Sequence, residues 1–375
     1  MVLSSGAIVD GAAQTPNARR GLETVLPETG RLREGDKEVL LGLFQAQATT
    51  FPIGSSAGGF TWSFDPVLGL PTRRSKSFGP MFAERPLTTG RHRLSVSVGF
   101  QQTKWRAMAG QDFGEGIYFA YHDEDGWFEY LSQFELTTAQ TVVTATVGLF
   151  EHVDLGVRVP YVTQHVSGTR LHTCGFCAGW TGTPVSGSSE GLGDVTIRGK
   201  VSLPPRAVDL AAGIDLRLPT GDEKQLLGSG KTQLTTMLIG GGQYGPIAPH
   251  FNVGYTFAGP GLEFEDRFEQ GEFRPSSEFK YATGVEFVVS TPVTIAGDIT
   301  GRTLFKAAQP VMVSTPGFSQ GLSVHRATVN LLIGAVSAKF LISGMWLVTA
   351  AVAFPLNDNG IQPGITPVIG FERAF

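Results

Sequence analysis

The chain has 375 residues, of which 49 are glycine, 26 phenylalanine and only 2 cysteine; 17% are charged and the net charge is −4. That balance lacks the basic excess of a nucleic-acid binder, the cysteine count excludes a disulfide-stapled mini-domain, and 41% apolar residues exclude a disordered chain. Mean hydropathy of +0.05 is too polar for a helical membrane bundle, yet a β-barrel hides its apolar face in alternation.

The start, MVLSSGAIVDGAAQTPNARRG, shows no basic region followed by an apolar stretch. A signal peptide is therefore expected upstream of this start or already removed, and residues 1–34 are read as a disordered leader. Residues 35–90 follow no strand rhythm. Gly35–Thr50 fits a short helix, and an aromatic, proline-rich stretch follows with Phe51, Phe60, Trp62, Phe64 and Phe78. Irregular backbone at membrane depth is tolerated only when buried in protein. This stretch is read as a luminal plug, the alternative being a periplasmic leader.

From residue 91 period-2 alternation dominates. Val153, Leu155, Val157 and Val159 alternate with Asp154, Gly156 and Arg158; Phe251, Val253, Tyr255 and Phe257 alternate with Asn252, Gly254 and Thr256. The same pattern places strands near 91–104, 128–149, 153–164, 192–203, 207–219, 232–243, 247–259, 277–289, 291–305, 326–341, 346–356 and 363–375. Connections alternate between short turns, such as 151–152 and 343–345, and longer polar loops at 105–127, 165–191, 221–231, 260–276, 306–320 and 357–362. Short turns at one end and long loops at the other mark an outer-membrane barrel. The expected fold is all-β: an antiparallel transmembrane β-barrel of about twelve strands over 91–375. Within 128–149 the apolar residues shift from even to odd positions, which is read as a bulge near 138–141, or else as two strands and a turn. The uncharged run 340–356 could also pass for a membrane helix, but Ser343, Gly344, Thr349 and Pro355 interrupt it.

Charges on the polar strand faces are candidates for lining the lumen: Asp154, Arg158, Asp194, Arg198, Lys200, Asp209, Asp215, Arg217, Lys280, Glu286, Asp298 and Arg302. They either fill the interior as salt bridges or line a permeation path. Cys174 and Cys177, after His172, sit in the 165–191 loop; a lone CxxC there is read as a local disulfide, with free thiols or a metal as alternatives. Gly228-Ser229-Gly230-Lys231-Thr232 lacks the first glycine of a phosphate-binding loop and a following helix. No grouping of Ser, His and carboxylate points to catalysis, so neither an enzyme nor a cofactor or metal is expected.

Six segments carry a resemblance: FPIGSSAGGFTWSFDP (51–66), SFGPMFAERPLTTGR (77–91), VDLGVRVPYV (153–162), EGLGDVTIRGKVSL (190–203), DLRLPTGDEKQLLGSGKT (215–232) and FPLNDNGIQPGITPVIGFERAF (354–375). Together they resemble the outer-membrane channels associated with the meta-pathway of phenol degradation, distantly similar to the long-chain fatty acid channel. The resemblance covers roughly 50–375. It implies passive uptake of small hydrophobic or aromatic compounds across the outer membrane of a Gram-negative bacterium, with an N-terminal hatch in the lumen. It also implies contact with membrane lipid, and recognition of the last strand, ending in Phe375, by the barrel-assembly machinery. Arg373 departs from the usual apolar residue in that strand. A structural or adhesive barrel without transport, or a barrel hydrolase, are the competing functions.

Overall fold

The computed structural model describes residues 16–26, 34–50, 59–65, 69–123, 126–177, 179–204, 208–258, 264–266, 271–273, 277–315 and 319–375. Twelve antiparallel strands form the wall: β1 (Leu94–Met108), β2 (Gly126–Phe150), β3 (Val153–Cys174), β4 (Thr196–Ser202), β5 (Asp209–Arg217), β6 (Gln233–Gly241), β7 (Ile247–Ala258), β8 (Glu278–Ser290), β9 (Val293–Thr315), β10 (Ser319–Ser343), β11 (Trp346–Pro355) and β12 (Thr366–Ala374). Each pairs with its neighbours in sequence, and β12 returns to β1 in a ladder running from Val368↔Gln101 to Ala374↔Ser95. Closure removes the unpaired edges that a sheet in lipid could not tolerate. The stretch 340–356 belongs to β10 and β11; its uncharged run is a hairpin of two lipid-facing strands.

The outward positions are apolar and exposed: Val98, Val143, Val157, Ile197, Ile214, Val253, Val285, Ile299, Val336, Val352 and Ile369 form a belt around the barrel. Aromatic side chains rim it, Tyr161, Phe257 and Phe279 on one side, and Phe150, Trp346 and Phe375 at the short-turn end. Such girdles sit where the hydrocarbon meets the head groups. Arg373 joins the lower girdle, with its guanidinium 5.0 Å from the ring centre of Trp346 and 4.6 Å from that of Phe375. There it adds a cation–π contact while its charge stays at the wet interface.

The wall is of unequal height. β2 and β10 have 25 residues each and β9 has 23, whereas β4 has 7. About 9–11 residues suffice to cross a membrane, so one side of the barrel rises well beyond it. This corrects three of the expected loops. Residues 165–174 continue β3 and pair with a returning strand, Thr181–Leu192; a short strand, Ile117–Asp123, covers the top of β2; and 306–315 continue β9. The expected bulge in β2 is also corrected. Its pairing with β1 runs unbroken from Leu94↔Val147 to Trp105↔Leu136, and the even-numbered residues from Ser132 to Gly148 face inward. The apolar parity changes because the surroundings change. In the lower half the outside is lipid, so Val143, Ala145 and Val147 are outward; in the upper half Phe134 and Leu136 are inward because the interior there is packed with protein.

That packing comes from the N-terminal region. Helix α1 (Ala18–Val25) is capped by Asn17, whose side chain accepts from Arg20 N at 2.9 Å. This corrects the reading of 1–34 as wholly disordered: Ala18, Leu22 and Val25 are buried against the upper wall, and an arginine-rich helix with one apolar stripe has no strong sequence signal in isolation. Helix α2 (Glu34–Thr49) buries Leu40, Leu41, Phe44 and Ala48. A short hairpin, Trp62–Asp65 with Leu70–Arg73, lies in the stretch read as too irregular for strands.

Candidate functional site: the barrel lumen

The described parts of the N-terminal region lie against the inner wall, α1 at the long-loop end and residues 75–89 toward the short-turn end. α1 is fixed at the top, where Ala18 N donates to Ser189 Oγ at 2.9 Å and Ser132 Oγ donates to Val25 O at 2.6 Å. α2 follows below: Gln45 Nε2 donates to Gly228 O at 2.8 Å, and Phe44 packs on Phe113 and Phe134 with ring centres 5.9 and 6.4 Å apart.

Residues 75–89 occupy the lower lumen and have no sheet partner. Backbone groups buried without a partner are costly, and here wall side chains supply the partners. Asp154 accepts from Thr89 N at 2.9 Å; Lys200 Nζ donates to Leu87 O at 2.8 Å; Asn252 bonds both Glu84 N and Glu84 O, at 2.6 and 2.9 Å. Asp298 accepts from Met81 N at 2.8 Å, Glu286 from Gly79 N at 3.1 Å, and Lys339 Nζ donates to the carbonyls of Phe78 and Pro80 at 3.1 and 3.0 Å. These groups come from β3, β4, β7, β8, β9 and β10, so the segment is held from several sides. The Phe78 ring is fully buried, and the Arg73 guanidinium lies 4.4 Å from its centre. The chain leaves the lumen at Gly90, which has a φ of +99°, and passes under Gly148, where an added Cβ would meet Gly90 O at 1.8 Å. Both positions require glycine.

All twelve charges singled out in the sequence lie on inward positions, and they divide into three groups. Asp154, Lys200, Glu286 and Asp298 hold the backbone of 75–89, and Asp209 pairs with Arg74 at 2.8 Å. Asp194 serves a different segment, accepting from Gly221 N at 3.1 Å and Ser229 N at 2.7 Å; the loop resembling a phosphate cradle is thus tied to the wall. Arg158, Arg198, Asp215, Arg217, Lys280 and Arg302 line a cavity of about 170 Å³ between the N-terminal segment and β3–β9. In it Arg198 pairs with Glu84 and Asp215, while Glu278 is held by Lys280 at 2.8 Å and by Arg302.

Phe60, Trp62 and Phe78 are among the described residues; Phe51 and the side chain of Phe64 lie outside them. Phe60 and Phe78 form an edge-on pair 5.8 Å apart over Leu347 near the short turns. Cys174 and Cys177 are joined in a disulfide at the tip of the tall hairpin. Sequence reasoning missed Glu84, Asn252, Glu278 and Lys339. Asn252 and Glu278 share the inward parity of their strands and were legible by that rule, whereas Lys339 was masked by the apolar run beside it.

No protein-family profile matches the chain, and no curated protein matches it. Among solved structures it is similar to an outer membrane channel from Pseudomonas putida F1, at 13% identity over 76% of this chain and 96% of that one, with a TM-score of 0.52. This is the fold of an outer-membrane channel. Looser likenesses include the NanC porin, at 8% identity over 75% of this chain and 98% of that one with a TM-score of 0.40, and the CymD monoaromatic hydrocarbon channel, at 9% over 76% and 89% with a TM-score of 0.37. The closed wall, its exposed apolar belt and its polar interior are those of a protein embedded in the outer membrane of a Gram-negative bacterium.

Proposed function

We propose that the chain is an outer-membrane channel for passive uptake of small compounds with an apolar or aromatic body, and that its own N-terminal region sets the bore. The observation that carries this reading is the manner in which residues 75–89 are held. They are fixed by side-chain hydrogen bonds to the wall and by no sheet ladder, and a cavity is left beside them. A barrel built only for structure would gain more from packing its interior shut than from retaining a charged cavity. Twelve strands enclose a lumen between the filled eight-stranded type and the open sixteen-stranded porins. A threaded segment narrows that lumen to the size of one small solute.

The test is planar-bilayer conductance of the full chain and of a form lacking residues 34–89. The wall strands begin at Leu94, so the shortened form is expected to assemble. Its conductance should rise several-fold, and its discrimination between solutes of different size should fall. An assembled deletion form with unchanged conductance would overturn the channel reading in favour of a closed structural barrel.

A further inference from the structure

The cavity beside the N-terminal segment is lined by five cationic side chains, Arg158, Arg198, Arg217, Lys280 and Arg302, against two carboxylates, Glu84 and Asp215. Glu278, on the inward face beside the cavity and held by Lys280 and Arg302, brings the carboxylates to three against five cations, an excess of two positive charges. Asp194, the next acidic group toward the top, is taken up by the backbone of 221–229. The cations are not all spent on the wall. Arg198 is satisfied by Glu84 and Asp215, and Arg302 also donates to Thr50 O at 3.1 Å, at the end of α2. Arg217 differs: its Nη1 is buried without a hydrogen-bond partner. Asp194, Asp215 and Glu278 share the charge of Arg217, but none of them bonds that nitrogen; a buried donor without a partner is costly unless an acceptor reaches it. A guanidinium fork suits a carboxylate, which it can meet through two parallel hydrogen bonds. Phe82, Met237 and Tyr281 line the same cavity and give an apolar body a surface to lie on.

We propose that this cavity is a binding subsite for small organic carboxylates with an aromatic or apolar body, the carboxylate meeting Arg217 and Lys280 and the body lying against Phe82 and Tyr281. This deepens the channel reading and rests on it for its biological sense, since it names the charge of the solute that passes. The binding itself is measurable without any flux. The solute is drawn in by the excess positive charge and leaves because the site is wet and partly neutralised, as conduction requires of a site on a permeation path.

The experiment is isothermal titration of the detergent-solubilised full chain with benzoate, benzyl alcohol and inorganic phosphate. Benzoate is expected to bind at least tenfold more tightly than either, with affinity falling as salt is raised. Arg217→Gln should weaken benzoate at least tenfold and leave benzyl alcohol unchanged. A second variant, Thr196→Glu, adds a competing carboxylate at the cavity wall and should weaken benzoate without removing any cation. Assembly of both variants is checked by heat-dependent migration on gels. Equal binding of benzoate and benzyl alcohol, no binding of benzoate, or an unaltered affinity in assembled Arg217→Gln would overturn the proposal. Phosphate binding as tightly as benzoate would replace the organic carboxylate by a general anion site, and so would overturn it also. Conductance of the same preparation separates the two readings. Benzoate binding with no conductance in either the full or the shortened form refutes the channel alone, and conductance without selective binding refutes the subsite alone.

Discussion

Val157 and Thr196 lie one residue out of phase on adjacent strands, Val157 opposite Ile197 and Thr196 opposite Arg158. That single step decides their solvent. Val157 is 40% exposed on the apolar belt, while Thr196 is buried beside the luminal cavity. Val157→Arg is expected to destabilise the folded barrel by about 2–4 kcal/mol, the cost of a cation at mid-membrane depth on a lipid face. Thr196→Glu places a charge where cations are in excess and should leave the unfolding transition in place. Reversible unfolding into denaturant from lipid vesicles measures both; equal losses at the two positions would contradict the assigned faces. Asp298 makes a second case on the inner side. It accepts from Met81 N and from His250, the latter at 2.7 Å. Asp298→Ala leaves buried donors on both the segment and the wall, at about 1–3 kcal/mol each. The segment should then open, and chymotrypsin should cut after Phe82, whose N also donates to Asp298, at least tenfold faster than in the native protein. An unchanged rate would mean that this carboxylate does not hold the segment.

At the scale of elements, α2 is the piece whose burial is decided by packing alone. Phe44 is fully buried and meets Phe113 and Phe134, which themselves stack at 4.4 Å. Phe44→Ala removes the central ring and should cost about 3–5 kcal/mol of local stability, as for other buried aromatic deletions. Because the wall strands pair without α2, the loss should appear as faster amide exchange in 40–49 and not as a lower melting point of the barrel; a barrel that melts earlier would show that wall and helix fold as one unit. These elements also mark how far the sequence could be read. The lipid-facing strands were legible because two solvents, hydrocarbon and water, impose strict alternation on residues such as Val153–Tyr161. Above the membrane that contrast vanishes. In 165–174 and 181–192 both faces tolerate polar residues, so a regular ladder leaves no periodic trace and reads as loop. The parity change in β2 misleads for the same reason: Phe134 and Val143 are both apolar, but one contacts α2 and the other contacts lipid. The lumen charges followed from parity, whereas the cavity among them did not. It depends on Glu84 and Phe82, which arrive from an irregular segment whose path no local pattern encodes.

On the scale of the whole molecule, the path of the N-terminal region has a directional consequence. α1 bonds to Ser189 of the strand returning beside β3 and to Ser132 of β2, both far up the tall side of the barrel. Residues 75–89 bond near the opposite end, where Asp154 and Glu286 lie close to the short turns. Outer-membrane barrels keep short turns on the periplasmic side and long connections outside. On that orientation the chain is expected to begin its described course at the cell surface and to enter the wall at β1 from the periplasmic end, with residues 75–89 inside the lumen between them. The two cysteines are joined to each other, so a single introduced cysteine reports its own position. Arg20→Cys, on the exposed side of α1, should react with a membrane-impermeant maleimide on intact cells. Gly344→Cys, in the turn between β10 and β11, should react only after the outer membrane is permeabilised; its φ of +56° makes the substitution strained, and Ser343→Cys in the same turn is the control. Protection of position 20 in intact cells together with labelling of position 343 would invert the threading and remove the bore-setting role from the N-terminal region. Labelling at 20 but not at 343 places the start of the described chain outside and its first wall strand inside. Only a path through the lumen joins those two points in a closed barrel.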